Sequence, residues 1–142
     1  MENIKKKTIE FFLKEIAVKL KICADSYLEK CGMTISQARL IELIDKNGGR
    51  ATQKEIEDCL QVSHPTVKGI ITRLEQKDLL HCYKDENDKR NKIVCLTEKA
   101  KGIVSEMYSA RKDLESHIIN GLSEKEVSEL MRLLGHIYIN LS

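Results

Sequence analysis

The sequence contains few of the residues that form tight turns or fill the cores of β-proteins. It has one Pro, seven Gly and no Trp, and its aromatic residues are two Phe and four Tyr. β-Sandwiches and propellers need frequent turns, which depend on Gly and Pro. The composition therefore predicts a mainly helical protein, and its 142 residues suit one domain.

Long apolar runs and paired cysteines are also missing. No stretch approaches the ~20 apolar residues that cross a bilayer, and Lys and Glu interrupt the apolar positions near the N-terminus. The five Cys are odd in number, widely scattered and never spaced as C-x-x-C, which argues against a disulfide framework or a zinc ribbon. We therefore expect a cytoplasmic protein without a membrane segment.

The charges nearly balance. The 24 basic and 22 acidic side chains give a net charge of +2. Composition alone therefore does not indicate a nucleic-acid ligand, and any such prediction must rest on where individual cations lie.

Apolar residues recur at helical spacing through most of the chain, which predicts six helices. The first is expected over residues 4–30, with apolar positions at steps of four and three. These positions are Ile4, Thr8, Phe12, Ile16, Leu20, Cys23 and Tyr27. Polar residues suited to N-caps mark where the other five helices begin. They are Thr34, Thr52, Ser63, Thr97 and Ser123.

The last helix, predicted over residues 123–141, has apolar positions that alternate steps of three and four, as in a coiled-coil seam. The seam consists of Val127, Leu130, Leu134, Ile137 and Leu141. The fifth helix would be ~33 Å long, too long for one small domain to cover. We therefore expect the terminal helices to pair with each other and with a second chain.

The pattern changes between residues 80 and 96. Segments 80–84 and 92–96 are rich in β-forming residues and flank a charged stretch over residues 85–91. This arrangement predicts a β-hairpin, the one strong strand prediction in the sequence.

A short helix over residues 53–60 and the helix from about residue 64 are joined by a tight link, which is typical of a helix-turn-helix. The second helix of such a pair enters the major groove of DNA. Its predicted outer face carries small, polar and cationic residues. Small side chains allow a close approach to the bases, and polar and cationic ones bind base edges and phosphates. An ordinary solvated helix face would have a similar composition. This face consists of Pro65, Lys68, Gly69, Thr72 and Gln76, flanked by Thr66 and Arg73.

The predicted hairpin tip is a second cationic feature. Its basic residues are Lys84, Lys89, Arg90 and Lys92. Arg90 is placed to enter a narrow minor groove, whose negative potential attracts guanidinium groups. Acidic residues lie beside these cations, so the tip indicates DNA binding mainly in combination with the helix.

Together these motifs resemble the multiple antibiotic resistance regulator (MarR) family of bacterial transcription factors. The matching segments, in the family's order and spacing, are residues 60–67, 70–71, 73–75, 88–90 and 94–99. With the flanking helices, the resemblance extends over nearly the whole chain.

The resemblance implies a fold that is mainly α with a small β-hairpin wing, in a single domain over residues 1–142. A winged helix-turn-helix head over residues 34–97 would lie between dimerisation helices at residues 1–30 and 98–142. The implied function is that of a homodimeric repressor or activator that binds a palindromic double-stranded operator. Of these two, we expect a repressor. A small aromatic or lipophilic effector would release it, and no cofactor is implied.

The resemblance also implies roles for individual residues. Those expected to contact DNA are Ser63, His64, Pro65, Thr66, Lys68, Thr72, Arg73, Lys89 and Arg90. Asp88 is expected to support Arg90 in the wing. Ile4, Phe12 and the seam of the last helix are expected to form the dimer interface.

Two positions depart from the family pattern. Asp78 stands where Gly usually ends the recognition helix, a change that is tolerable because Asp adopts the left-handed conformation more readily than most residues. Cys82 stands where a basic residue is common, which removes one expected phosphate contact per chain.

Enzymatic and metal-binding functions find little support. No H-E-x-x-H, P-loop, G-x-G-x-x-G or G-x-S-x-G motif is present, so we do not expect an enzyme. The nearest pattern to a metal site is Asp113 and His117, one helical turn apart, with Cys31 as a third candidate ligand. It is a weak pattern, and we expect no metal.

Three alternatives stay open. Cys82 and Cys95 lie near Lys84 and Lys92 and could form a redox sensor, whereas Cys23 and Cys59 are expected in the core. The head could instead bind another protein without any DNA target, although its cations argue against that. A purely structural helical adaptor would not need the wing.

Overall fold

The computed structural model describes residues 4–142, and within that range it contains six α-helices and a three-stranded antiparallel sheet. The mainly helical fold class with a β wing is therefore confirmed. A short 3-10 helix at Ile4–Lys6 precedes the α-helices. The α-helices are α1 (Ile9–Glu29), α2 (Ile35–Lys46), α3 (Gln53–Leu60), α4 (His64–Gln76), α5 (Glu98–Ile118) and α6 (Glu124–Asn140). The strands are β1 (Arg50–Thr52), β2 (Leu80–Lys84) and β3 (Lys92–Leu96).

All five predicted N-caps are confirmed. Each capping side chain accepts a hydrogen bond from a backbone N–H in the first turn of its helix. In α2, α3 and α6 a Gln or Glu three residues on completes a capping box.

The first helix begins later than predicted. Thr8 has an extended backbone (φ −85°, ψ 161°), and its hydroxyl accepts a hydrogen bond from Phe11 N at 3.0 Å. Thr8 is therefore the N-cap of α1 and not part of its stripe, and Ile4 lies in the separate 3-10 helix. Residues 1–3 of the predicted dimerisation segment lie outside the described range.

The sheet contains one strand that the sequence analysis missed. The strand order is β1-β3-β2, and Ala51 of β1 pairs with Val94 of β3. On the other side of β3, Val94 pairs with Cys82 of β2. A three-residue strand is too short to show an alternation of period two, so β1 becomes visible only through its partner.

The core lies between α2, α4, α5 and the sheet. Leu40, Ile41 and Ile44 of α2 are fully buried, as is Val94 of β3. The stripe of α4, consisting of Val67, Ile71 and Leu74, is also fully buried. Burial of a large aliphatic side chain contributes about 1.5–3 kcal/mol, so this cluster fixes α4 against the rest of the head.

The end of α4 is held by contacts that the sequence did not indicate. Lys77 Nζ donates to Gly32 O at 2.8 Å and to Gln37 Oε1 at 3.1 Å, which joins this end to the turn between α1 and α2. Lys99 Nζ at the start of α5 donates to Lys77 O at 3.0 Å. Thr97 Oγ1 donates to the carbonyl of Asp78 at 2.7 Å.

Helices α1 and α6 leave much apolar surface uncovered, because neither buries a single residue. A compact monomer of 16.3 kDa exposes about 7,500 Å², whereas this chain exposes 10680 Å². The large exposed side chains of α1 are Ile9, Phe11, Ile16, Val18 and Ile22. Those of α6 are Met131, Leu133, Leu134, Tyr138 and Ile139. Despite this apolar surface, none of the helices within residues 4–142 is long and apolar enough to span a bilayer.

Asp78 has a left-handed backbone (φ 60°), as its place after α4 predicts. We expect Asp78→Gly to raise the free energy of unfolding by about 0.5–1 kcal/mol, because glycine has no Cβ to strain there. Urea denaturation monitored by circular dichroism measures the change. Gln76→Gly, at the last residue of the same helix, is the matched control and should destabilise the protein, because glycine has a low helix propensity. Destabilisation of similar size by both variants would contradict this account.

Candidate nucleic-acid interface

The outer face of α4 is exposed along its length, opposite the buried stripe. Its exposed residues are Pro65, Thr66, Lys68, Gly69, Thr72, Arg73 and Gln76, as the helical wheel predicts. Ser63 and His64 at the start of the helix are exposed as well. A small, polar surface of this kind allows the helix backbone to approach the edges of base pairs.

Three hydroxyl groups on α4 and its N-cap already make hydrogen bonds with neighbouring residues. Thr72 Oγ1 donates to Lys68 O at 2.9 Å, so its lone pairs are left to accept from a base amino group. Ser63 Oγ and Thr66 Oγ1 lie 2.8 Å apart, and Ser63 Oγ also accepts from Thr66 N at 3.4 Å. The Ser63 to Thr66 contact fixes the first turn of α4, and Thr72 is restricted to one kind of base contact.

Three cations predicted to contact DNA lack an anionic partner within the described residues. They are Lys68 and Arg73 on α4 and Lys89 in the wing. In the wing, by contrast, Arg90 is paired with Asp88, and Lys92 lies 4.0 Å from Glu75. The outer face of α4 therefore presents Lys68 and Arg73 without a paired carboxylate.

The wing tip is held in shape by turns between its own residues. Asp85 N donates to Asn91 O at 3.0 Å, and Asn91 N donates to Asp88 O at 2.9 Å. Asp88 Oδ1 accepts from both the backbone N and the Nε of Arg90, each at 3.1 Å. The Arg90 side chain is nevertheless 91% exposed. Asp88 thus orients a guanidinium group that projects into solvent.

The sequence analysis named His64 but missed the two residues that contact it. Its Nδ1 lies 2.5 Å from Glu57 Oε1 and 3.1 Å from Gln53 Nε2, both on α3. The i, i+4 spacing of Gln53 and Glu57 places them on one face of α3, but their contact with α4 depends on the angle between the helices.

The environment of Cys82 does not favour the redox site that was considered. Burial and, to a smaller extent, the Glu75 carboxylate raise the pKa of the Cys82 thiol to about 11. This opposes formation of the reactive thiolate. Cys59, which was expected in the core, is exposed instead, so that prediction was wrong. On the short helix α3 the buried positions are Gln53 and Ile56, and Cys59 lies off their face.

A cavity of about 150 Å³ lies where α1 and α5 meet α2. Its apolar lining includes Tyr27, Ala38, Met107 and Leu114. At its edge Arg111 Nη2 forms an ion pair with the buried Glu42, with distances of 2.5 Å and 2.7 Å to the two carboxylate oxygens. The described residues hold no group of three or more His, Cys, Asp or Glu that could bind a metal.

A helix-turn-helix pair followed by a β wing defines the winged-helix class of DNA-binding domains. Residues 32–91 match the model of the MarR family. Residues 32–91 are therefore similar to the winged helix-turn-helix of the MarR family. The chain's relatives among known structures are regulators, in agreement with the prediction that the chain is not an enzyme.

Solved structures support this assignment. MepR, a transcription regulator of the Staphylococcus aureus multidrug efflux pump MepA, matches with a TM-score of 0.83 and 27% identity over 96% of this chain and 100% of that chain. A complex of S. aureus MepR with DNA matches with a TM-score of 0.74 and 27% identity, covering 95% and 99%. A mutant of E. coli MarR complexed with operator DNA matches with a TM-score of 0.72 and 23% identity over 89% of this chain and 90% of that chain. This match supports the fold alone.

The thiol environments lead to an expected order of reactivity. At pH 8 a thiol with a pKa of about 11 is ionised in roughly one molecule per thousand. We expect Cys59→Ser to remove the fastest phase of alkylation by iodoacetamide, and Cys82→Ser to leave that phase unchanged. Mass spectrometry of peptides at timed intervals gives the order, and rapid labelling of Cys82 would restore the redox alternative.

Proposed function

We propose that the chain is a cytoplasmic homodimeric repressor that binds a palindromic operator and is released by a small aromatic or lipophilic effector. In this proposal residues 34–97 form the DNA-binding head, and residues 1–30 and 98–142 form the dimerisation helices. No cofactor takes part. The observation that carries the proposal is the exposed outer face of α4, where Lys68 and Arg73 have no paired carboxylate within the described residues, beside a wing that projects the Arg90 guanidinium into solvent.

Each element has a distinct expected role on DNA. Helix α4 enters the major groove with its N-terminus first, so that Pro65, Thr66, Lys68 and Thr72 face base edges. Arg73 lies at the flank of this face and contacts phosphate. Arg90 enters the adjacent minor groove, supported by Asp88, and Lys89 contacts the backbone beside it.

The exposed surface of the frame helices (α1, α5 and α6) supports the dimer. The chain exposes roughly 3,000 Å² more surface than a compact monomer of its mass would. This excess is larger than the area that each chain buries in many obligate dimer interfaces. On α6 the seam residues Val127, Leu130 and Ile137 are only half-buried, and Leu134 and Leu141 are exposed. On α1, Phe12 is half-buried while Val18 and Ile22 are exposed on the opposite face, so α1 has apolar residues on both sides.

The junction cavity supports the effector. It is apolar, it lies between frame helices and head, and α2 and α5 are tied together beside it by the Arg111 to Glu42 pair. In a dimer the two DNA-binding heads can lie at different separations. A ligand that binds one separation more tightly than the others would increase the population of that separation, to an extent set by the difference in affinity. Release from DNA would follow if that separation did not match the operator.

The DNA prediction separates base contacts from phosphate contacts. A duplex selected by the purified protein from a random library, at about 150 mM salt, provides the probe. We expect Thr72→Val or Lys68→Ala to cost ~1–3 kcal/mol on that duplex and to relax preference at one position per half-site. Arg73→Ala should weaken all sequences about equally. Arg90→Ala should weaken duplexes with A/T-rich flanks most and reduce the salt dependence.

Lys112→Ala on α5 is the matched control, since it removes one exposed positive charge away from the proposed interface. It should leave the affinity within twofold of wild type. If Arg90→Ala and Lys68→Ala also stay within twofold, DNA recognition by this surface is wrong and the head is a protein-interaction module.

The dimer prediction uses two substitutions on α6 that add the same charge. Leu134→Glu would bury an unpaired carboxylate in the proposed interface, which costs several kcal/mol. Ser128→Glu, on the polar side of the helix, should have no effect. We expect light scattering at micromolar concentration to give a dimer for wild type and Ser128→Glu and a monomer for Leu134→Glu. A monomeric wild type would exclude the dimer.

A further inference from the structure

Three side chains from α3 and α4 meet at the N-terminus of the proposed recognition helix. His64 Nδ1 lies 2.5 Å from Glu57 Oε1, and Gln53 Nε2 lies 3.1 Å from the same oxygen. Gln53 is 7% exposed and the Glu57 side chain 21%, whereas the His64 side chain is 65% exposed. Two largely buried residues of α3 therefore hold an imidazole whose outer part faces solvent.

The donors and acceptors in this cluster fix where the imidazole proton lies. A carboxylate oxygen can only accept, so the contact between His64 and Glu57 requires a hydrogen on Nδ1. Gln53 Nε2 can only donate, and a protonated Nδ1 offers it no lone pair. Gln53 therefore donates to Glu57 as well. Both donors converge on one carboxylate oxygen, and Nε2 of His64 becomes the atom available to a ligand.

The cluster opens onto a cleft of about 320 Å³ between α3, the start of α4 and the wing. The charged groups of α3 that line it are Lys54, Glu57 and Asp58, and those of the wing are Arg90 and Lys92. Within the described residues, His64 makes no other hydrogen bond through its ring. An anion entering from the wing side would meet Nε2, Arg90 and Lys92, together with the positive end of the α4 dipole.

We propose that His64 binds a DNA backbone phosphate through a protonated Nε2, and that Glu57 and Gln53 are positioning residues that hold its Nδ1–H. Binding then takes up one proton from solvent at Nε2 in each chain. The imidazolium donates on one side to Glu57 and on the other to the phosphate, and both acceptors stabilise its charge. This inference rests on the proposed function, and it adds to it a dependence of DNA affinity on pH.

The first experiment tests the positioning without any DNA. Two-dimensional ¹H–¹⁵N spectra of the imidazole rings distinguish the two neutral tautomers. The His64 signals are those that are absent from the spectrum of His64→Gln. At pH 8 we expect the Nδ1–H form at His64 in the wild type, and the more usual Nε2–H form in Glu57→Ala. An Nε2–H tautomer in the wild type would overturn the proposal.

The second experiment measures affinity for the selected duplex and for a mixed-sequence duplex between pH 6 and 8 at constant ionic strength. Because the proposed contact requires a hydrogen on both ring nitrogens, its formation is coupled to proton uptake and strengthens as the pH falls. We expect wild-type affinity to rise about three- to tenfold from pH 8 to pH 6 on both duplexes, because the contact is to phosphate. His64→Gln should remove this rise, while His136→Gln, on the exposed polar side of α6, should keep it.

A double-mutant comparison tests whether Glu57 acts through His64. We expect Glu57→Gln to weaken binding at pH 6 in the wild-type background and to have no effect in the His64→Gln background. An equal loss in both backgrounds, or the same pH dependence in wild type and His64→Gln, would overturn the proposal while leaving DNA binding intact. A wild type that binds neither duplex at any pH would instead overturn the proposed function and the phosphate contact together.

Discussion

Burial of one face of α4 is the constraint on which the rest of the site depends. Val67, Ile71 and Leu74 are fully buried against α2 and the sheet. Because an α-helix has 3.6 residues per turn, fixing this stripe inside also fixes which residues point outward. Lys68 and Thr72 are exposed for that reason, and no separate interaction is needed to present them.

The two ends of α4 are fixed by different means. At the N-terminus the Ser63 cap, the Thr66 hydroxyl and the contact of His64 with α3 define the first turn. At the C-terminus Lys77 contacts the turn between α1 and α2 through Gly32 and Gln37. The recognition helix is therefore joined directly to the corner where the frame begins. A change in the frame at this corner would move α4 as a unit, which is what a regulator that acts through the spacing of two heads requires.

The packed core is confined to the part of the described chain that runs from the turn after α1 to the middle of α5. Among the described residues, all 17 buried apolar side chains lie between Met33 and Met107, and neither α1 nor α6 contains any of them. A helix whose apolar face remains exposed gains little stability from packing, and isolated helices of this length are marginal in water. Helices α1 and α6 thus have a physical reason to bind a second copy, whereas α5 already packs on the core through Ala100, Val104 and Met107.

The sequence by itself determined the helices, their caps, the wing and the outward face of α4. These features depend on local hydrogen bonds and on apolar periodicity, which neighbouring residues specify. The late start of α1 could also have been found locally, because Thr8 is a typical N-cap three residues before Phe11. Only the tertiary structure decided the pairing of β1 with β3, the exposure of Cys59 and the burial of Cys82 beside Glu75. It also decided the contact of His64 with Glu57 and of Lys77 with Gly32, since these contacts join residues that meet only when separate elements pack at particular angles.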